Sequence, residues 1–442
     1  MRRNGKEYMS FECKGLIDLG FYPNYSFEVG DINGDGKKEI AVLSTDGNIL
    51  RVFSIDGKIL FERKLQNNGC WGTSLPAFAD LDYDGKEELL VPDGPPGKAR
   101  VIALDADNSI IRECRIPGEM ADDYGIAIPL LGAFRRDDDR IGVVAAVAGG
   151  SLIAFNEDFE EIWRVDGLRK DFGHEFNFER VKGEKGEVIA FTTVDHIRYA
   201  RPEIEGDLII VNSSGKIIFK KRVKDLLNDT HFDMVAIADF TGSGRSEILT
   251  EKGFLLDFDG RVIWDASGYF DHGQWIAHVP NPNGPGRWAF ISELWGYDGK
   301  SRMLDSNGNS VWKLGKHRHS LIDERIFPDY KVAPTRVHAI DWDGSGTYNI
   351  VFGEQVIFDG HLCKKTTSHR LKIFVFSVEG ELLAEIQYTD TRREGFFYNG
   401  EVRSRVLDID GDGKTELIFP RQDGNVMIIG KKYPIISLLP FP

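Results

Sequence analysis

Asp31-Ile-Asn-Gly-Asp-Gly-Lys-Lys-Glu39 runs directly into the apolar stretch Ile40-Ala-Val-Leu43, and this acidic turn followed by a strand recurs along the chain. The other clean copies are Asp80-Leu-Asp-Tyr-Asp-Gly-Lys-Glu-Glu88, Asp239-Phe-Thr-Gly-Ser-Gly-Arg-Ser-Glu247, Asp341-Trp-Asp-Gly-Ser-Gly-Thr-Tyr-Asn349 and Asp408-Ile-Asp-Gly-Asp-Gly-Lys-Thr-Glu416. Such a repeat marks an array of supersecondary units, none of which buries its apolar face alone. Around the first copy the sequence predicts four strands: Tyr25 to Gly30, Glu39 to Leu43, Ile49 to Ile55 and Lys58 to Lys64. Asp46-Gly47 and Asp56-Gly57 are the hairpin turns between them. Four-stranded antiparallel units arranged radially make a β-propeller.

Three degenerate copies keep the strand rhythm without the clean turn. They are Leu130 to Trp163 around Arg135–Arg140, Phe176 to Arg222 around Lys182–Glu187, and His278 to Leu314 around Asn281–Gly286. With them the count is eight blades, and seven is the alternative. Tyr8 to Ile17 precedes the first unit as a lone strand, placed to complete the last blade and close the ring. No Pro/Ser-rich linker interrupts the repeats, so residues 1–442 are read as one all-β domain.

The net charge of −15 argues against a nucleic-acid or anionic-membrane partner acting through bulk charge. Cys13, Cys70, Cys114 and Cys363 are scattered and form no C-x-x-C pair, so nothing calls for an oxidising compartment. The N-terminal residues lack the apolar core of a secretory signal, and no apolar run is long enough to span a bilayer. A cytoplasmic location is the expectation, or a secreted one if a signal has been trimmed.

Asp31, Asn33, Asp35 and Glu39 stand at positions 1, 3, 5 and 9 of their turn, a spacing that gathers oxygen ligands for a hard cation. Asp80, Asp82, Asp84 and Glu88 repeat it, as do Asp408, Asp410, Asp412 and Glu416, and Ca²⁺ in a structural role is expected there. The copies at Asp239 and Asp341 have Ser243 and Ser345 at the fifth position. The plainer reading is that these aspartates only cap their own backbone amides.

The turns resemble the FG-GAP type of repeat found in integrin-like propellers and in several propeller polysaccharide lyases. A narrower resemblance covers residues 272–359. His272-Gly273, the later Asn-Gly-Pro-Gly and Ile291-Ser-Glu-Leu are similar to the His-Gly-Asp segment of eight-bladed rhamnogalacturonan lyases. His338-Ala-Ile-Asp-Trp-Asp-Gly-Ser-Gly is similar to their tryptophan-rich segment. Gln274 stands where that family usually has Asp. The resemblance implies an eight-bladed lyase acting on an acidic, rhamnose-containing glycan.

Residues just before the first strand of each unit are unusual for connectors: Tyr25, Trp71, Tyr124, His174, His231, His272 with Gln274 and Trp275, Arg336, and Tyr398. Ordinary turns favour Gly, Asp and Ser, so a shared funnel on one face is expected. The alternative is packing between blades. Basic inserts add Arg198 and Arg201 in Thr193–Glu205, His319 in Gly315–Ser320, and the segment Gly360–Arg370. Long loops on a rigid scaffold often carry function, and local positive charge draws anionic ligands.

These groups suit β-elimination on a uronate: arginines (Arg336, Arg198) neutralise the substrate carboxylate, and a base removes the proton beside it. His272 and His231 are the candidate bases, Tyr124 and Tyr398 candidate acids. Trp71, Tyr25, His174, Gln274, Trp275, Arg201 and His319 are candidate substrate contacts. Rival readings are a glycoside hydrolase using carboxylates such as Glu175, Glu293, Glu354 and Glu401, and a non-enzymatic propeller that binds a glycan or protein.

Overall fold

The computed structural model describes residues 2–3, 6–7, 9–21, 23–44, 47–66, 76–116, 126–169, 171–173, 175–194, 206–226, 234–270, 273–293, 300–314, 331–357, 367–392 and 403–432. Among the described residues the chain forms eight antiparallel blade sheets built on four strands each, an eight-bladed β-propeller with almost no helix, and a two-stranded pair of Arg2–Arg3 with Lys6–Glu7. Blade 1 consists of Pro23–Gly30, Glu39–Ser44, Ile49–Phe53 and Ile59–Lys64, close to the strands expected from sequence. Blades 2 to 7 begin at Ala77, Leu130, Asp171, Val235, Gly273 and Lys331. Blade 8 takes three strands from the end of the chain, Arg405–Leu407, Glu416–Pro420 and Asn425–Lys431. Its fourth is Phe11–Asp18, which pairs antiparallel with Asn425–Lys431.

Second and third strands are apolar on both faces because each sheet is covered by a blade on either side. The apolar cores accordingly lie between neighbouring blades. Leu43, Val52, Leu89 and Ile102 join blades 1 and 2, while Ile17, Phe27, Ile40, Ile418 and Ile428 join blade 8 to blade 1. Close approach is enforced by small residues: a Cβ on Gly30 would lie 2.2 Å from the Phe78 ring of the next blade.

Outer strands are tied by a recurring tryptophan. Trp163 and Trp312 lie against the hairpin glycines Gly215 and Gly380 of the following blade. Their indole N–H groups donate to the carbonyls of Ser213 and Val378, each at 2.8 Å. One expected loop is shorter than the sequence suggested. Thr367–Ser377 is a strand, so the end of the basic segment 360–370 extends the blade 7 sheet instead of forming a free insert.

Candidate functional site

Two inner strands are each broken in two. In blade 4 the ladder holds Asp171–Phe172 and resumes at Asn177–Arg180; in blade 7 it holds Lys331–Pro334 and resumes at His338–Ile340. Backbone bonds from Gly173 to Thr192 and from Thr335 to Gly353, both 2.8 Å, fix the chain at the breaks. The residues released there, Glu175 and Arg336, meet each other. Arg336 Nη1 donates to Glu175 Oε2 at 2.8 Å and Nη2 to Oε1 at 3.2 Å. Blades 4 and 7 are not neighbours, so this bidentate pair crosses the axis of the ring.

Other inner strands add to it. Arg405 of blade 8 grips Glu28 of blade 1, with Nε to Oε1 at 2.9 Å and Nη2 to Oε2 at 2.8 Å. Trp275 follows a bulge at the start of blade 6. Its ring lies 5.4 Å from the Arg336 guanidinium carbon and 5.6 Å from that of Arg403. His338 Nε2 is 2.7 Å from the Ser404 hydroxyl. By contrast the inner strands of blades 2, 3 and 5 pair without a register shift. Irregular backbone is where sheets re-aim side chains at sites.

Burial alone would raise the Glu175 carboxyl, but Arg336, Arg403 and Arg405 outweigh it and hold it below the usual range. His338 is pushed well below its usual value by burial and then by Arg336 and Arg405, so its imidazole is neutral at pH 7. The axis therefore offers guanidinium groups, an ionised carboxylate, a neutral imidazole and an indole.

Of the residues expected at the face, Arg336, Trp275 and Glu175 are brought together. Gln274 and Trp275 are each only 1 % exposed, so neither is the open platform that the sequence suggested. His272, His231, Tyr124, Tyr398, Trp71, His174, Arg198, Arg201 and His319 lie outside the described residues, as does the side chain of Tyr25. Sequence reading missed Glu28, His338, Arg403, Ser404 and Arg405. A register signal marked them: Arg336 and Arg403 stand five residues before Asp341 and Asp408, while His338 and Arg405 stand three before.

At the rim the acidic turns share a scaffold. The first aspartate accepts turn amides, as Asp31 does from Gly34 at 2.7 Å and Gly36 at 2.9 Å. The closing glutamate reaches back to the second residue, as Glu88 does to the Leu81 N–H at 2.8 Å. The capping role and a gathering of carboxylates thus coexist. Among the described residues two triads, Asp80/Asp82/Glu88 and Asp408/Asp410/Glu416, each bring carboxylate oxygens within 4.8 Å of one another.

Their surroundings differ. In blade 8, Lys14 Nζ lies 2.8 Å from Asp410, 3.3 Å from Asp412 and 2.7 Å from Glu416. In blade 1 the Asn33 amide donates to Glu39 at 2.9 Å. In blade 2 burial, then the charges of Asp82, Asp80 and Asp84, push Glu88 up to about 7. A cavity of about 270 Å³ opens beside that turn, lined in part by Asp82, Tyr83, Glu88, Arg140 and Glu157.

An FG-GAP-like repeat family matches residues 31–91. No curated protein matches the sequence significantly. Among solved structures the chain is similar to the C-terminal WD40 domain of Sif2, with a TM-score of 0.50 and 10 % identity over 97 % of this chain and 100 % of that one. It is also similar to the exotype rhamnogalacturonan lyase YesX, with a TM-score of 0.46 and 18 % identity over 92 % of this chain and 72 % of that one. For the Bacillus licheniformis rhamnogalacturonan lyase PL11 the TM-score is 0.42 and the identity 14 %, over 92 % and 71 % of the two chains. The likeness to the WD40 domain is one of fold alone.

Proposed function

We propose that the axial face binds an acidic oligosaccharide and cleaves it by β-elimination. The observation that carries this is the convergence of Arg336 and Arg403 beside the Trp275 ring, with Arg405 acting on the same Glu175 carboxylate, at the axis of a chain whose net charge is −15. Guanidinium groups bind a carboxylate bidentately, and pairing a uronate carboxylate with them makes its α-proton easier to remove. In the reaction C5 loses its proton to a base, the C4–C5 double bond forms, and the bond from C4 to the glycosidic oxygen breaks. That oxygen then takes a proton from an acid or from water. The base expected from sequence is His272 or His231. Within the described cluster the His338 imidazole is neutral, but the burial and the arginines that keep it so also make it a weak base.

Hydrolysis by a carboxylate pair fits less well. Glu175 is held ionised by its arginines, which removes it as the general acid of such a pair, and its bidentate bond to Arg336 occupies the oxygens a base or nucleophile would use. The test is absorbance from unsaturated uronate across pectic, ulvan-like and glucuronate–rhamnose oligosaccharides. Product that Arg336→Gln abolishes supports the reading. Cleavage without that absorbance sinks elimination, and no cleavage across the panel leaves a binding propeller.

We also infer that the blade 2 turn holds a Ca²⁺ ion on Asp80, Asp82, Asp84 and Glu88. Its support is the gathering of Asp80, Asp82 and Glu88 oxygens within 4.8 Å of one another, where burial first and then the neighbouring carboxylates raise Glu88. The ion would supply structural charge balance at the rim and no step at the axis. Calorimetric titration with Ca²⁺, in which Asp82→Asn removes the binding heat, tests it.

A further inference from the structure

We propose that Glu175 holds the place of a ligand carboxylate, and that an acidic sugar entering the axis displaces it from Arg336. This rests on the reading of the axial cluster as the site for an acidic oligosaccharide. It also resolves a conflict within that reading. The arginine expected from sequence to clamp the substrate is already clamped, bidentately, by a carboxylate of its own chain.

The two axial ion pairs are built differently. Arg405–Glu28 joins blades 8 and 1, which already share an apolar core through Phe27, Ile40, Ile409 and Ile418. That bridge reinforces a packed seam. Arg336–Glu175 joins blades 4 and 7, and among the described residues no apolar cluster contains side chains of both. It reinforces no interface.

Glu175 and Arg336 both sit between the two halves of a broken strand and neither is paired in a ladder, so Glu175 can turn away without breaking ladder hydrogen bonds. The place it leaves has the parts a uronate needs. A planar guanidinium fork matches its carboxylate, and the buried Trp275 ring packs against that fork. Exchange of one carboxylate for another keeps the charged hydrogen bonds to Arg336. A half-buried arginine left unpaired is costly, so the open state of Arg336 is the minor one. The displaced carboxylate stays within the field of Arg403 and Arg405, which already act on it.

An internal competitor lowers apparent affinity by the fraction of time it occupies the site. If Arg336 is open about one-tenth of the time, Glu175→Gln binds an acidic ligand about tenfold tighter. The experiment is isothermal titration of the full chain, wild type and E175Q, with a uronate disaccharide and with its uncharged methyl ester. Tighter binding of the acid by E175Q, with the ester unchanged, is the expected result. An acid affinity that is unchanged, weakened or absent in E175Q makes Glu175 a fixed strut and overturns the proposal.

If E175Q does not melt cooperatively, Glu175→Asp shortens the competitor's reach and is expected to act in the same direction; no gain there overturns the proposal equally. The fate of the reaction is read separately. A gain in E175Q without unsaturated product keeps the exchange and sinks elimination. Product from the wild type with no gain in E175Q does the reverse.

Discussion

The turns of blades 2 and 8 carry the same carboxylates at the same positions, yet balance them by different means. Blade 8 surrounds the ammonium of Lys14, delivered by the strand that closes the ring. Burial works against that charge, but Asp410 and Glu416 outweigh it and push the lysine above its usual range. No lysine reaches the blade 2 triad among the described residues; Lys86 approaches only the exposed Asp84, at 3.4 Å. Blade 2 also places Tyr83 at φ 62°, where the other four turns have glycines such as Gly411 at φ 75°. Its hydroxyl accepts the Ile141 N–H of blade 3 at 2.6 Å, so the turn is tied outward to a neighbour. The same carboxylate spacing therefore yields one turn neutralised by protein and one suited to an outside cation.

The largest expected effect comes from removing the internal cation. Lys14→Met leaves the Glu416 carboxylate, 1 % exposed, without its ammonium and loosens the closing strand. A loss of about 3 kcal/mol is expected from urea unfolding. A loss no larger than that of a surface substitution would break the comparison.

Next is Ca²⁺. At about a hundredfold excess over Kd, one site stabilises the fold by about 2.7 kcal/mol. That gain should vanish in Asp82→Asn and survive in Lys14→Met. If Asp82→Asn retains it, the ion binds elsewhere.

Third is pH in the presence of a chelator. Glu88 has its folded value raised to about 7 from 4.5, so its contribution is full below about 4.5 and lost as pH rises through about 7. Wild type should lose about 2 kcal/mol more than Glu88→Gln between those limits. Glu39, raised likewise to about 7, is common to both proteins and cancels. Added Ca²⁺ should flatten the difference, and equal slopes for the two proteins would contradict it. The smallest effect is Tyr83→Phe, which removes the acceptor for Ile141 N–H at an exposed site and should cost about 0.5 to 1 kcal/mol in thermal unfolding.

Most of the fold was legible because its signals are local. Asp-Gly and Asn-Gly pairs mark hairpins, and the acidic turn recurs in register with them. Even the degenerate units at Leu130, Phe176 and His278 announce their strands by alternation. The site was less legible. Residues were sought just before each first strand, whereas Arg403, Arg405 and His338 lie at alternate positions leading into or within inner strands, where a period of two aims them at the axis. Trp275 and Arg336 were anticipated, but their burial against each other was not, because burial depends on blades that are distant in sequence.

By itself, the sequence determined that the chain is a series of four-stranded blades, where their hairpins turn and which turns concentrate carboxylates. Each of these follows from a few neighbouring residues whose backbone preferences and hydrogen bonds act over short range. Only the closed ring decided that Lys14 meets Asp410, 396 residues away, and that Arg336 meets Glu175, 161 residues away. Charge pairing acts through space, so which carboxylate keeps its own counter-ion and which is left to an outside partner is settled only when the ends of the chain have met.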